Sequence, residues 1–158
     1  MLLLVRIPQW QQKVAKTEPV FAQLPTNLHE QIVGETISFE LVSYRQHIYF
    51  YISIADKLRE LVIGQVYSIY PDAVIEEQKG DYANPKIVEN STFIVSQLSK
   101  RRTDIYPWKR YDEFEGDSLA GLLTVMSKAG ENQHLWVQVV VQPINDNFSF
   151  NLRRGIKY

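Results

Sequence analysis

Apolar and polar positions along the chain change period several times, and each change predicts an element. Leu2 to Ile7 is a short, nearly continuous apolar run ending at Pro8, the pattern of a central strand covered on both faces. After the polar stretch Gln9 to Lys16, Thr17 is placed to cap a helix with Glu18 and Pro19 in its first turn, and Val20, Phe21, Leu24 and Leu28 recur at helical spacing. Pro25 kinks that helix or ends it early. Beyond Gly34, Ile37, Phe39 and Leu41 alternate with Ser38 and Glu40, and after a turn at Arg45-Gln46 the side chains of Ile48, Phe50, Ile52 and Ile54 fall on one face with Tyr49 and Tyr51 on the other. Residues 36–54 therefore read as a hairpin.

From Asp56 the period becomes helical: Leu58, Leu61, Val62, Val66 and Ile69 form a stripe, Lys57, Arg59 and Glu60 lie on the solvent side, and Pro71 closes the helix. Ala73 to Glu77 follows as a short strand. The order to this point is β-α-β-β-α-β, the split βαβ of ferredoxin-like α+β folds, with both helices on one sheet face and the other face open. The second half could cover that face. Gln78 to Val88 reads as loop, Thr92 to Leu98 as a strand, Asp117 as the cap of a helix carrying Leu119, Leu122, Leu123 and Met126, and Leu135 to Val141 as a strongly apolar strand. The expected organisation is a ferredoxin-like half over 1–78, a linker loop over 79–90, a β-loop-α-β half over 91–144 packed on the first, and a C-terminal segment over 145–158. In that last segment Phe148, Phe150 and Leu152 alternate like a strand, while Phe148, Leu152 and Ile156 also suit a helix. Its basic ending, Arg153-Arg154-Gly155-Ile156-Lys157-Tyr158, carries no stop signal, so a missing downstream domain is expected.

Composition alters this picture little. The 158 residues, 45% hydrophobic and 22% charged, match ordinary globular usage. Seventeen Lys and Arg against 18 Asp and Glu leave a net charge of -1, so a nucleic-acid role would need a local basic patch. The absence of cysteine excludes disulfides, thiolate metal sites and cysteine nucleophiles, and a cytoplasmic setting is the default. Met1 to Val5 is interrupted by Arg6 and lacks the basic flank and cleavage site of a signal peptide.

Catalytic motifs are missing from this stretch of sequence. Its seven glycines are scattered and form neither G-x-x-x-x-G-K-[ST] nor G-x-G-x-x-G. His29, His47 and His134 stand apart, each without a second ligand at metal spacing, and the acidic groups Glu76-Glu77 and Asp112-Glu113-Glu115 read as solvated faces. No G-x-S-x-G elbow is present. No cofactor, metal or catalytic residue is expected.

Two constellations point to binding. Tyr49 and Tyr51 project from a central strand, the placement that RNA-recognition sheets use for base stacking, although the glycines of that motif are lacking and the first strand offers no aromatic partner. The bland alternative is that the two rings pack beneath the second half of the chain. The connection Lys100 to Tyr111 is basic and aromatic together, and Arg101, Arg102, Tyr106, Trp108, Lys109 and Arg110 are of the types enriched at protein interfaces. Against this, Ile105, Trp108 and Tyr111 are equally suited to tuck onto their own core while the cations stay solvated.

The run from Thr36 to Pro71, with Ile37 to Ser43, Ile48 to Ile52 and Leu58-Arg59-Glu60-Leu61-Val62-Ile63-Gly64-Gln65-Val66-Tyr67-Ser68-Ile69-Tyr70-Pro71, resembles the N-terminal, pre-motor region of bacterial type IV secretion and conjugation-like ATPases. Tyr106-Pro107, Asp112 to Leu122, Leu3 to Pro8 and Lys16-Thr17 add to the similarity. The resemblance implies a larger protein with membrane spans upstream, this α/β region at the cytoplasmic face and a RecA-like motor downstream. It carries over no catalytic residue, because the motor's nucleotide-binding motifs have no counterpart here. The expectation is a non-catalytic accessory or assembly domain contacting protein subunits through residues 100–115, with self-association open. The alternative is a single-stranded nucleic-acid module using Tyr49 and Tyr51 with cations from Lys100 to Arg102. A small-substrate enzyme would need a polar pocket assembled by tertiary structure.

Overall fold

A computed structural model describes residues 1–8, 33–80, 82, 91–98 and 119–143. Strands β1 (Leu2–Arg6), β2 (Ile37–Tyr44), β3 (His47–Ser53), β4 (Val74–Gln78) and β5 (Leu135–Val141) accompany helices α1 (Arg59–Ile69) and α2 (Ala120–Ser127). The strands form one sheet in the order β4-β1-β3-β2-β5, with every neighbouring pair antiparallel. The class is α+β.

The hairpin forms as its alternation predicts. Ile52 sits opposite Phe39 on β2 and opposite Leu3 on β1, so the three share a face. Arg45 and Gln46 both adopt positive φ, 48° and 63°, the left-handed pair of a two-residue hairpin turn, and they do so without glycine. A 3₁₀ turn at Asp56–Leu58 leads into α1, which ends one residue before Tyr70 and two before Pro71. Leu58, Val62, Val66 and Tyr70 recur every fourth residue, as one helical stripe does, and pack with Leu3, Ile37, Phe39, Ile52 and Ile54 into an apolar core. Val62 and Val66 are essentially inaccessible, and each such burial contributes roughly 1.5–3 kcal/mol.

The second half departs from expectation in two places. The second half could cover the open face, but its helix α2 lies on the same face as α1: Ser43 follows Ile37 and Phe39 in the odd-numbered register of β2, and its hydroxyl donates to the carbonyl of Met126 at 2.9 Å. Length explains this. The 11 residues of α1 reach roughly 16 Å, whereas the eight of β2 extend roughly 27 Å, so the far end of the apolar face needs a second cover, and Met126 and Ala129 are buried there. The second departure is Thr92 to Leu98, which reads as a strand but joins no ladder. A run of β-branched and aromatic residues suits a half-buried pleated surface; it does not supply a partner edge. The predicted β-loop-α-β half therefore contributes α2 and β5 to the described structure, without its first strand. β5 has the predicted bounds, but it is an edge strand with Val139 and Val140 more than half exposed. The predicted helix from Thr17 and the C-terminal segment beyond 143 lie outside the described residues.

Candidate aromatic surface on the open sheet face

The even-numbered residues of β2 and the odd-numbered residues of β3 project from the face opposite the helices. Tyr49 and Tyr51, two apart on β3, lie with ring centroids 6.3 Å apart and planes 29° apart. His47 continues the row at one end, 6.4 Å from Tyr49. At the other end Tyr82 stacks on Tyr51 at 5.4 Å and meets Trp136 of β5 edge-on at 5.5 Å. The row thus runs along β3, crosses β2 through Tyr82 and reaches the sheet edge. Such offset and edge-to-face pairs add about 0.5–1.5 kcal/mol each beyond simple burial.

Beneath Tyr82 lies a buried carboxylate. Glu40 points from the middle of β2, opposite Tyr51 on one side and Gln138 on the other, and only 6% of it is exposed. The Tyr82 hydroxyl donates to Glu40 Oε2 at 2.6 Å and accepts from Gln138 Nε2 at 2.7 Å, so a chain of hydrogen bonds ties the loop residue to two strands. A shallow cavity of about 290 Å³ opens beside it, lined by Glu40, Ser53, Lys79, Tyr82 and Gln138 among others. The Ser38 hydroxyl, opposite Ser53, is buried without a hydrogen-bond partner.

Charge on this face is balanced. Arg6 pairs with Glu76 at 2.8 Å, and Arg45 stacks over Tyr44 with its guanidinium carbon 5.1 Å from the ring centre. Burial raises the Tyr51 hydroxyl above its ordinary pKa, with the neighbouring Tyr49 adding to the rise and Arg6 opposing it. The Tyr51 hydroxyl accordingly keeps its proton at neutral pH.

Of the residues singled out from sequence, Tyr49 and Tyr51 stand side by side on this face, each half-buried. Tyr82 packs on Tyr51 from the segment read as a linker. The other proposed contact residues, Arg101, Arg102, Tyr106, Trp108, Lys109 and Arg110, lie outside the described residues, as do His29 and Asp112 to Glu115. His47 joins the row, while His134 meets Tyr44 edge-on at 4.7 Å on another part of the sheet. Glu76 and Glu77 are occupied by Arg6 and by Arg59 at 3.8 Å, as ordinary surface ion pairs. Among the described residues no group of three or more His, Asp or Glu side chains is arranged to hold a metal ion, and no helix is long and apolar enough to cross a membrane.

Sequence reasoning missed Glu40, Tyr82, Trp136 and Gln138. Glu40 carried a signal: a carboxylate in the middle of an apolar hairpin strand invites the question of what satisfies it. Tyr82 carried none, because nothing in a loop pattern says where its ring lands.

Comparison with known proteins adds a family. The model of a domain of unknown function, DUF8128, matches residues 11–155. No curated protein and no solved structure matches the chain.

Proposed function

We propose that this chain, which belongs to the DUF8128 family, acts as a non-catalytic accessory or assembly domain of a type IV secretion- or conjugation-type ATPase, working through protein contacts. The observation that carries a contact role is the row Tyr49, Tyr51, Tyr82 and Trp136: rings held by strands and by the Glu40–Tyr82–Gln138 bonds, on a face without excess charge. Pre-ordered aromatic surface of this kind is what protein interfaces are enriched in. The link to a secretion motor rests on the sequence resemblance over Thr36 to Pro71, a run that forms one contiguous unit of hairpin, turn and α1. In such a protein the domain would sit at the inner face of the membrane through its parent chain.

The proposal extends to the fold. The order β4-β1-β3-β2, antiparallel throughout, is the order a ferredoxin-like split βαβ requires, with β5 added beside β2. The helix it needs between β1 and β2 is the one the sequence predicts from Thr17.

The native reading frame tests the motor assignment. A G-x-x-x-x-G-K-[ST] motif after Tyr158, between a strand and a helix, supports it; a frame that stops at Tyr158 removes it. In the full-length protein, replacing Trp108 and Arg110 together by alanine weakens association with the other subunits and leaves the fold intact. Unchanged association removes the contact assigned to residues 100–115.

A second reading, single-stranded nucleic-acid binding, is favoured by one feature: Tyr49, Tyr51 and Tyr82 offer three successive rings for bases. Its cations would have to come from Lys100 to Arg102. Fluorescence anisotropy with labelled oligonucleotides at low salt decides: a salt-dependent shift lost in Tyr51→Ala supports it, and no shift dismisses it.

A further inference from the structure

Among the described residues, two stretches have the character of a sheet strand and an edge without a neighbour. The first is the outer edge of β5. Among the described residues β5 pairs with β2 alone, and its seven residues, Leu-Trp-Val-Gln-Val-Val-Val, include no charge and no proline. The opposite edge of the same sheet is guarded: β4 carries Glu76 and Glu77, both ion-paired. Charged side chains and prolines are the usual devices that keep edge strands from pairing, and β5 has neither. Trp136, Val139 and Val140 are exposed along it.

The second is the segment Thr92 to Leu98, as long as β5 and likewise uncharged. It belongs to no ladder, yet Phe93 is 67% exposed, Ile94 92%, Val95 81% and Leu98 95%. Four large apolar side chains facing water over seven residues are unfavourable for a free chain and favourable for a strand that adds to an edge.

We infer that two copies of this chain associate by reciprocal strand exchange, the segment 92–98 of each copy pairing with the outer edge of β5 of the other. The second copy is the occupant because each chain carries both halves of the contact, matched in length and in lack of charge, so two copies satisfy one another through a closed two-fold arrangement. Each pairing adds a seven-residue strand to a seven-residue edge and sets the exposed apolar side chains of the two beside one another. Main-chain hydrogen bonds supply the affinity and alternate side chains the register. The inference goes beyond the secretion assignment and stands without it.

Sedimentation velocity of the full chain across the micromolar range provides the test, with Ile94→Lys in the segment and Val140→Lys on β5 as variants. Both side chains are exposed, so far-ultraviolet circular dichroism should match the parent, and Val95→Lys repeats the segment test at a second exposed position. The parent is expected to dimerise, and each variant alone to raise the dissociation constant at least about tenfold. An equimolar mixture of Ile94→Lys and Val140→Lys regains part of the association, because one copy then contributes an intact β5 and the other an intact segment. A parent that is monomeric throughout overturns the inference. So does a dimer broken by Val140→Lys but untouched by Ile94→Lys, which would place β5 against β5, and so does a mixture no more associated than its components.

Discussion

Replacing Tyr82 by phenylalanine removes one hydroxyl from the open face. The phenyl ring keeps its place against Tyr51 and Trp136, so the apolar contacts survive, but the donor to Glu40 at 2.6 Å is gone, while the exposed Gln138 amide that donated to the same oxygen turns to water. Among the described residues no other side chain donates to Glu40, and only 6% of it reaches solvent. Leaving a buried carboxyl acceptor without its donor costs about 1.5–3 kcal/mol. For a chain of this length that lowers the melting temperature by roughly 4–10 °C. Urea denaturation followed by circular dichroism gives the free energy directly, with an unchanged m-value as the sign that the fold is otherwise kept. Removing both partners in Glu40→Met/Tyr82→Phe should cost less than the sum of the single changes, since an apolar pair leaves nothing unsatisfied. A loss below about 0.5 kcal/mol for Tyr82→Phe would refute the reasoning, because it would mean that water already serves Glu40 as well as the hydroxyl does.

Three further outcomes follow from the same geometry. Ser38→Ala removes a buried hydroxyl that has no partner, and should stabilise by about 1 kcal/mol in the same urea titration; destabilisation would show that the hydroxyl is satisfied. Gln46→Gly relieves the positive φ of 63° and should stabilise by roughly 0.5–1 kcal/mol, visible as a higher denaturation midpoint, because the left-handed conformation costs glycine nothing. Tyr70, 1% exposed, has its hydroxyl pKa raised above the ordinary 10.0 by burial, so its contribution is complete below pH 10 and is lost as pH rises through the folded value. Denaturation midpoints should be level from pH 7 to about 9 and fall above 10, and Tyr70→Phe should shallow that fall.

What could be read from the sequence was what local periodicity encodes. The hairpin was legible because Ile37, Phe39, Ile48, Phe50 and Ile52 repeat every second residue, and its turn was found from the break between two alternating runs although Arg45 and Gln46 are poor turn residues. Helix α1 was legible because Leu58, Val62 and Val66 repeat at helical spacing and Pro71 marks the end. Periodicity says which face of an element is apolar and nothing of which neighbour covers it. Hence the pattern leaves the second half free to cover the open face, where α2 does not lie, and reads Thr92 to Leu98 as a strand although it joins no ladder. The aromatic surface was half legible: Tyr49 and Tyr51 share a strand and so a face, but Tyr82 and Trp136 come to them from distant parts of the chain, and only the sheet order brings them together.

The pairing of β2 with β5 also sets an order in time. The turn at Arg45 and Gln46 lets β3 fold back on β2 within microseconds, as hairpins do. β5, in contrast, begins at residue 135 and must find a strand that begins at residue 37, and closing a loop of that length costs roughly 3 kcal/mol more in chain entropy than closing a tight turn. It should therefore be the last strand to join and the first to leave. In hydrogen exchange of the dissociated chain the amides of Leu135 to Val141 should open well before those of β1 and β3, so that β2, interior in the finished sheet, spends part of the monomer's life as an edge.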